Sequence, residues 1–259
     1  MADKQYVGID VGAAATKCMV IGEDKNELGS AVTRTGIDLL TSATSAFKEA
    51  LAKANGTESS VVRTVATGFG RKNVTFADAA RTEIGCQSLG CYFYFPRAIV
   101  IVDIGGQDTK VIRTDADGRL SGFKMNRKCA AGTGTFLEEV SHRLDVPLEQ
   151  MDALALKSSS TLELGAYCTV FTGTEILSRI REGVSREDLA RAVYRSVVKR
   201  ATEMDPLIGD VVLTGGVAAY SKTLQDMFNE AMGRKVLMPP KPQLSGAFGA
   251  ALFSMQTAK

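Results

Sequence analysis

The sequence predicts an α/β fold made of two similar halves. Three observations predict it. Strand-like and helix-like segments alternate along the chain, a strand–turn–strand unit occurs twice, and nothing in the composition points to another class. The 259 residues are 45% hydrophobic, ample for a sizeable core. There are 31 basic and 29 acidic residues, a net charge of +2, and no basic block suited to nucleic acid or a membrane surface. Residues 1–5 lack the apolar run of a signal peptide, and no stretch reaches the roughly 20 apolar residues of a membrane span. A soluble, cytoplasmic protein touching neither membrane nor nucleic acid is expected.

In order along the chain, residues 6–10 and 17–21 read as short apolar strands. A polar turn follows at Glu23-Asp24-Lys25-Asn26. Residues 41–54 form an amphipathic helix with Ala43, Phe47, Ala50 and Leu51 on one face. Residues 61–66 make a strand ending in Thr67-Gly68-Phe69-Gly70-Arg71. A helix over 82–89 leads to the aromatic stretch Tyr92-Phe93-Tyr94-Phe95, with Pro96 as a break. The pattern then restarts with strands over 98–102, 110–113 and 120–125, the last two joined by an Asp117-Gly118 turn. Helices are expected over 135–144, 149–156, 175–181 and 186–204. A strand over 211–213 and a last helix over 246–255 complete the chain.

The duplicated unit carries the first functional reading. Asp10-Val11-Gly12 is followed by Thr16-Lys17, six and seven residues after the Asp; Asp103-Ile104-Gly105 is followed by Thr109-Lys110 at the same offsets. A glycine there lets the backbone bend and approach a ligand, and successive N–H groups form a concavity for an anion. The carboxylate repels phosphate, so a hydrated Mg²⁺ belongs between them. One Asp-x-Gly after a strand is an ordinary hairpin, but two at matched offsets point to a nucleotide triphosphate held by both loops. No Gly-x-x-x-x-Gly-Lys-Ser/Thr loop occurs, and neither unit opens directly into a helix as a dinucleotide fingerprint would. Thr214-Gly215-Gly216-Val217-Ala218, after a strand, allows close approach to a ribose or a flat ring. Gly246-Ala247-Phe248-Gly249 brings a small-residue helix to the same ligand.

A second repeat involves cysteine. Cys129 precedes Thr133-Gly134-Thr135 at four to six residues, and Cys168 precedes Thr172-Gly173-Thr174 at the same spacing, each ahead of a helix. A helix N-terminus favours a thiolate or an anionic cluster. One chain offers two such thiols, and a two-fold dimer offers the four that a [4Fe–4S] cluster takes. Spacing alone leaves four readings open: packed core residues, zinc between subunits, a redox disulfide, or the cluster. Cys18, Cys86 and Cys91 read as packing residues. Five cysteines and a single histidine, His142, argue against a disulfide framework and a histidine-based metal site.

Together, Gly8-Ile9-Asp10-Val11-Gly12, Val102-Asp103-Ile104-Gly105-Gly106-Gln107-Asp108, Asn126-Arg127-Lys128-Cys129-Ala130-Ala131-Gly132-Thr133-Gly134, Cys168-Thr169-Val170-Phe171 and Leu213-Thr214-Gly215-Gly216-Val217-Ala218 resemble one family over almost the whole chain. It is that of the activator ATPases of 2-hydroxyacyl-CoA dehydratases and the ATPase subunits of benzoyl-CoA reductases, within the actin, sugar-kinase and heat-shock-chaperone superfamily. The resemblance implies two ribonuclease-H-like domains of actin-like ATPase fold with the nucleotide in the interdomain cleft. One would comprise residues 1–97 with helix 246–259, the other residues 98–245.

For the site, the resemblance implies that Asp10 and Asp103 organise Mg²⁺ and the attacking water, Asp10 through water, and that Gln107 or Asp108 orients that water. ATP or ADP would contact Gly12, Ala13, Ala14, Lys17, Gly105, Gly106, Gly132, Thr133, Gly134, Gly215, Gly216, Val217 and Gln243. Cys129 and Cys168 would hold one [4Fe–4S] cluster per dimer with a second copy or a close paralogue. Reduced ferredoxin or flavodoxin would load it. ATP would swing the helices after the cysteines, and the electron would pass to an acyl-CoA dehydratase or reductase. The chain departs from the family at Ala13-Ala14-Ala15, where hydroxyl residues are common, at Gly173 in place of an acidic residue, and at Thr135 in place of a basic one. The alternatives are a sugar-type kinase without a cluster, with Asp103 as base, and an ATP-regulated binding module.

Overall fold

The structure, a computed structural model, describes residues 4–126, 129–165 and 169–256. Its strands are β1 (Gln5–Val11), β2 (Ala15–Ile21), β3 (Glu27–Arg34), β4 (Val61–Thr67), β5 (Ala79–Ala80), β6 (Ile99–Ile104), β7 (Thr109–Thr114), β8 (Leu120–Asn126) and β9 (Asp210–Thr214). Its helices are α1 (Leu39–Lys53), α2 (Glu83–Tyr94), α3 (Gly134–Leu144), α4 (Met151–Ala155), α5 (Thr169–Arg181), α6 (Arg186–Met204), α7 (Gly216–Ala219), α8 (Lys222–Met232) and α9 (Ser245–Gln256). The α/β class is as the sequence predicts. The chain forms two compact units: Met1–Ala98 with Arg113–Ser121 and Gln243–Lys259, and Ile99–Ile112 with Gly122–Pro242. Among the described residues no helix is long and apolar enough to cross a membrane.

In the first unit the sheet order is β3-β2-β1-β4-β5, with β1 antiparallel to β2 and parallel to β4. Every residue of β1 is buried, because both faces are covered. Val7, Ile9 and Val11 pack with Ala43, Ala46, Phe47 and Ala50 of α1. Tyr6, on the opposite face, packs with Ala247, Phe248 and Ala251 of α9. Gly8 shares that face, and a Cβ there would lie 2.0 Å from the Ala247 carbonyl, so the helix rests on the bare strand. Asp10 belongs to this second face by the two-residue period of a strand.

In the second unit the sheet order is β8-β7-β6-β9, with β6 parallel to β9. Val100, Val102 and Ile104 pack against Phe136, Leu137 and Val140 of α3 and against Leu189, Val193 and Val197 of α6. Complete burial of a side chain such as Phe136 contributes roughly 1.5–3 kcal/mol. Helix α6 is capped by Ser185, whose hydroxyl accepts from the Asp188 N–H at 3.1 Å.

Several expectations need correction. Helix α2 runs on past Leu89 to Tyr94, where Phe93 and Tyr94 meet Phe248 at 5.0 and 5.3 Å, and it ends just before Pro96, the expected break. Helix α1 starts at Leu39, since Asp38 caps it by accepting from the Leu40 and Thr41 N–H groups. Helix α4 begins only at Met151, a 3₁₀ turn taking Leu148–Gln150. Strand β3, whose buried positions are the small Gly29 and Ala31, and helix α8, which buries Leu224, Met227 and Phe228 on one face, add to the elements expected.

Helix α5 begins at Thr169, so Thr172, Gly173 and Thr174 lie inside it rather than ahead of it. The two cysteine segments are therefore alike in sequence but not in local structure: α3 starts five residues after Cys129, whereas α5 starts directly after position 168.

Candidate functional site

The first half-site is the hairpin joining β1 and β2. The Gly12 N–H donates to the Ala15 carbonyl at 3.1 Å and closes the turn. Asp10, at the end of β1, is 7% exposed. Its cross-strand neighbour Lys17 places Nζ 3.2 Å from Asp10 Oδ2. Asp10 Oδ1 is buried and has no hydrogen-bond partner. Gly68, at φ +85°, keeps that oxygen clear, since a Cβ there would lie 2.4 Å from it. A buried carboxylate oxygen without a donor is unfavourable unless a cation or water completes it. The residues present therefore fit a hydrated Mg²⁺ at this position.

The second half-site repeats the hairpin. The Gly105 N–H donates to the Asp108 carbonyl at 3.0 Å, at the offset seen for Gly12 and Ala15. The electrostatics differ. Asp103 Oδ1 accepts from the Thr214 hydroxyl at 3.0 Å, and Oδ2 from Lys110 Nζ at 3.3 Å. Lys110, 1% exposed, also donates to Asp108 Oδ1 at 2.6 Å. Asp103 is thus tethered on both oxygens while Asp10 keeps one open. The Thr214 contact joins residues 111 apart in sequence, so the chain read linearly gives no sign of it.

Beyond the turn-closing bonds, the N–H groups of Ala13 and Ala14 in the first loop, and of Gly106 and Gln107 in the second, donate to no protein acceptor among the described residues. Ala13, Ala14 and Gln107 are exposed. Each loop therefore presents two adjacent donors outward, which suits phosphate oxygens.

The second loop is fastened to the segment after Cys129. The Gly134 N–H donates to the Gly105 carbonyl at 2.9 Å and the Thr135 N–H to the Gly106 carbonyl at 2.7 Å. The Thr135 hydroxyl also donates to Gly106 at 2.7 Å. Thr109 Oγ1 donates to the Gly132 carbonyl at 2.7 Å. Asn126 Nδ2 bonds the carbonyls of Cys129 and Ala131 at 3.1 and 3.2 Å. Thr133, fully buried, donates its hydroxyl to Ala130 at 2.5 Å. The first amides of α3 are therefore satisfied by the loop itself, in place of a capping side chain. Gly132 turns the chain at φ +80°.

Gly215 takes φ +94°, where a Cβ would lie 2.2 Å from the Ile104 carbonyl, and leads into α7 with Gly216 and Val217. Val217 Cγ2 lies 3.4 Å from where a Cβ on Gly134 would stand. Loop, α3 start and Gly-Gly turn thus converge within the second unit. Gln243 lies in the first unit, in the turn Pro242–Leu244 ahead of α9.

Cys18, Cys86 and Cys91 are completely buried. Burial pushes the Cys18 thiol far up and the Cys86 thiol up to about 12, so both stay protonated and fit packing roles. Cys129 is half-buried. Cys168, with Arg127 and Lys128 of the Cys129 motif, lies outside the described residues. Among those described, no three His, Cys, Asp or Glu side chains gather into a metal site. A cluster shared by two chains asks only two thiolates of each, and Cys129 is the one described cysteine accessible enough to serve. His142 is exposed on α3.

A family model described as the BadF/BadG/BcrA/BcrD ATPase family matches residues 7–254. The activator of lactoyl-CoA dehydratase from Anaerotignum propionicum is 38% identical over 260 residues, covering 98% of each chain. Among solved structures, component A of (R)-2-hydroxyglutaryl-CoA dehydratase from Acidaminococcus fermentans matches with a TM-score of 0.93 at 33% identity, over 98% of this chain and 99% of that one. The activator of 2-hydroxyisocaproyl-CoA dehydratase from Clostridium difficile, solved with ADPNP, gives a TM-score of 0.92 at 32% identity, over 98% and 95%.

Proposed function

The chain belongs to the BadF/BadG/BcrA/BcrD ATPase family, and we propose that it is an ATP-driven electron donor to a 2-hydroxyacyl-CoA dehydratase or a benzoyl-CoA reductase-type partner. In this reading two copies, or one copy and a close paralogue, pair through Cys129 and Cys168. Reduced ferredoxin or flavodoxin reloads the pair. A [4Fe–4S] cluster on these cysteines would supply one low-potential electron at a time. The domains proposed are residues 1–97 with 246–259, and residues 98–245.

The chain's own residues supply the ATP chemistry. The outward N–H groups of Ala13, Ala14, Gly106 and Gln107 bind phosphate oxygens, and Lys17 offsets their charge. Mg²⁺ would neutralise the triphosphate beside the open oxygen of Asp10. Asp103, held by Thr214 and Lys110, fixes the second loop at a set depth. Gln107, exposed on that loop, orients the attacking water. Gly215, Gly216 and Val217 take the adenosine, with Gln243 reaching the same ligand.

One observation carries the coupling: the carbonyls of Gly105 and Gly106 hold the first amides of α3. A loop that shifts when phosphate binds must shift the helix that follows Cys129. The test is a redox titration of the protein purified without oxygen, with and without a non-hydrolysable ATP analogue. A nucleotide-dependent shift in midpoint potential is expected, about 59 mV for each 1.4 kcal/mol of coupling. An identical potential in both states contradicts the coupling.

A further inference from the structure

Beside Asp10 lies a polar side chain that no linear motif contains. Gln87, on α2, is 5% exposed. It reaches this depth because α2 and α9 touch backbone to backbone. A Cβ on Gly90 would lie 2.1 Å from the Ser245 carbonyl, and one on Gly249 would lie 1.8 Å from the Cys86 carbonyl. That contact brings Gln87 up to Gly246. A Cβ placed on Gly246 would stand 3.1 Å from Gln87 Oε1 and 3.3 Å from Asp10 Oδ2. One methyl-sized position therefore lies within reach of both the amide and the carboxylate. The same carboxylate has its buried, unpartnered Oδ1 kept clear by Gly68.

We propose that Gln87 is a positioning residue of the ATPase site, its amide acting beside Gln107 to orient the water held at Asp10 for attack on the γ-phosphate. This rests on the ATPase reading above and deepens it. An amide offers an acceptor and two donors and does not titrate, so it can hold a water in one orientation without taking its proton. In the reaction the water oxygen bonds to the γ-phosphorus and the bridging oxygen leaves with ADP, taking the electron pair of the broken bond. The water's proton passes to released phosphate and solvent. Gln87 forms no bond in this sequence. Its contribution is orientation, which acts on turnover rather than on nucleotide affinity.

The test uses the full chain, with ATP for steady-state hydrolysis and ADPNP for binding. In Gln87→Met, of similar size but without the amide, kcat should fall at least tenfold. KM, ADPNP affinity and melting temperature should stay within a factor of three or a few degrees of wild type. Gln87→Asn, which keeps the amide but withdraws it by one methylene, should also lower kcat at unchanged KM. It serves as the test should the Met variant not fold. Wild-type kcat in the folded variants overturns the proposal. So does a joint loss of affinity, rate and melting temperature, which a purely structural role would give. A wild-type protein that hydrolyses no ATP would instead overturn the ATPase reading on which the proposal stands.

Discussion

Replacing Lys110 with Met should destabilise the protein far more than a lysine substitution usually does. The ammonium is completely buried and lies 3.3 Å from Asp103 Oδ2 and 2.6 Å from Asp108 Oδ1. Met keeps the side-chain volume but removes the ammonium that donates to both carboxylates. Removing one partner of a buried ion pair costs about 3–5 kcal/mol, mostly through the charge left behind. Asp103 is nearly as buried as the lysine, whereas the Asp108 side chain is 23% exposed and partly relieved by water. The lower end, about 3 kcal/mol, is therefore expected. Lys17, the equivalent residue of the first loop, is a control. Its side chain is 17% exposed and meets Asp10 at 3.2 Å, so Lys17→Met should cost about 1 kcal/mol. Urea unfolding at neutral pH, followed by far-UV circular dichroism, measures both. Replacing Asp108 with Leu on top of Lys110→Met removes one orphaned charge and should recover part of the loss. A Lys110→Met protein within about 1 kcal/mol of wild type would refute the assignment of Lys110 as the tether of Asp103.

Other outcomes follow from the same geometry. Asp10→Asn removes the charge at the open oxygen and should lower ATP hydrolysis by about 100-fold or more in a phosphate-release assay, while ADPNP still binds; a variant as active as wild type contradicts the role given to Asp10. Gly249→Ala drives a methyl into the Cys86 carbonyl, and should cost about 3 kcal/mol or prevent accumulation of folded protein, read by thermal melting. The raised Cys86 thiol gives a pH dependence with a definite sign. Its contribution is complete below the unfolded thiol value of 9.0 and is lost as pH rises toward the folded value of about 12, because only the unfolded chain gains by ionising in that window. The unfolding free energy from urea titrations should therefore fall between pH 9 and 10.5, by up to roughly 1.4 kcal/mol per pH unit for this thiol. Cys86→Ala should flatten the decline, and equal slopes in the two proteins would contradict it.

The loops were legible because a strand ending in Asp-x-Gly with Thr-Lys at fixed offsets is a local pattern. The two carboxylates nevertheless look equivalent in sequence. What separates them is tertiary: the Thr214 hydroxyl on Asp103, the full burial of Lys110, and the gap that Gly68 leaves at Asp10. Strand β3 gave little signal because its buried positions, Gly29 and Ala31, are small, while the larger Leu28 and Val32 are exposed. Helix α8 hid behind the Gly-Gly motif, its start set by the Ser221 hydroxyl accepting from the Leu224 N–H. The expected helix stopped at Leu89, short of the aromatic stretch, whereas α2 includes Phe93 and Tyr94, whose rings meet Phe248. The cysteine repeat was legible as sequence, yet α3 begins five residues after Cys129, with its first amides bonded to the Gly105–Gly106 loop, whereas α5 already begins at Thr169. Gln87 gave no linear signal at all, since its position depends on glycines in two helices far apart in the chain.

Iron and acid-labile sulfide content in protein purified without oxygen tests the proposed electron-donor function most directly. The wild type should be brown, with about four iron atoms for every two chains, and Cys129→Ser and Cys168→Ser should each lose the iron while remaining folded. A colourless, iron-free wild type that phosphorylates a sugar would contradict electron donation, and full iron content in both variants would contradict the cysteine ligands.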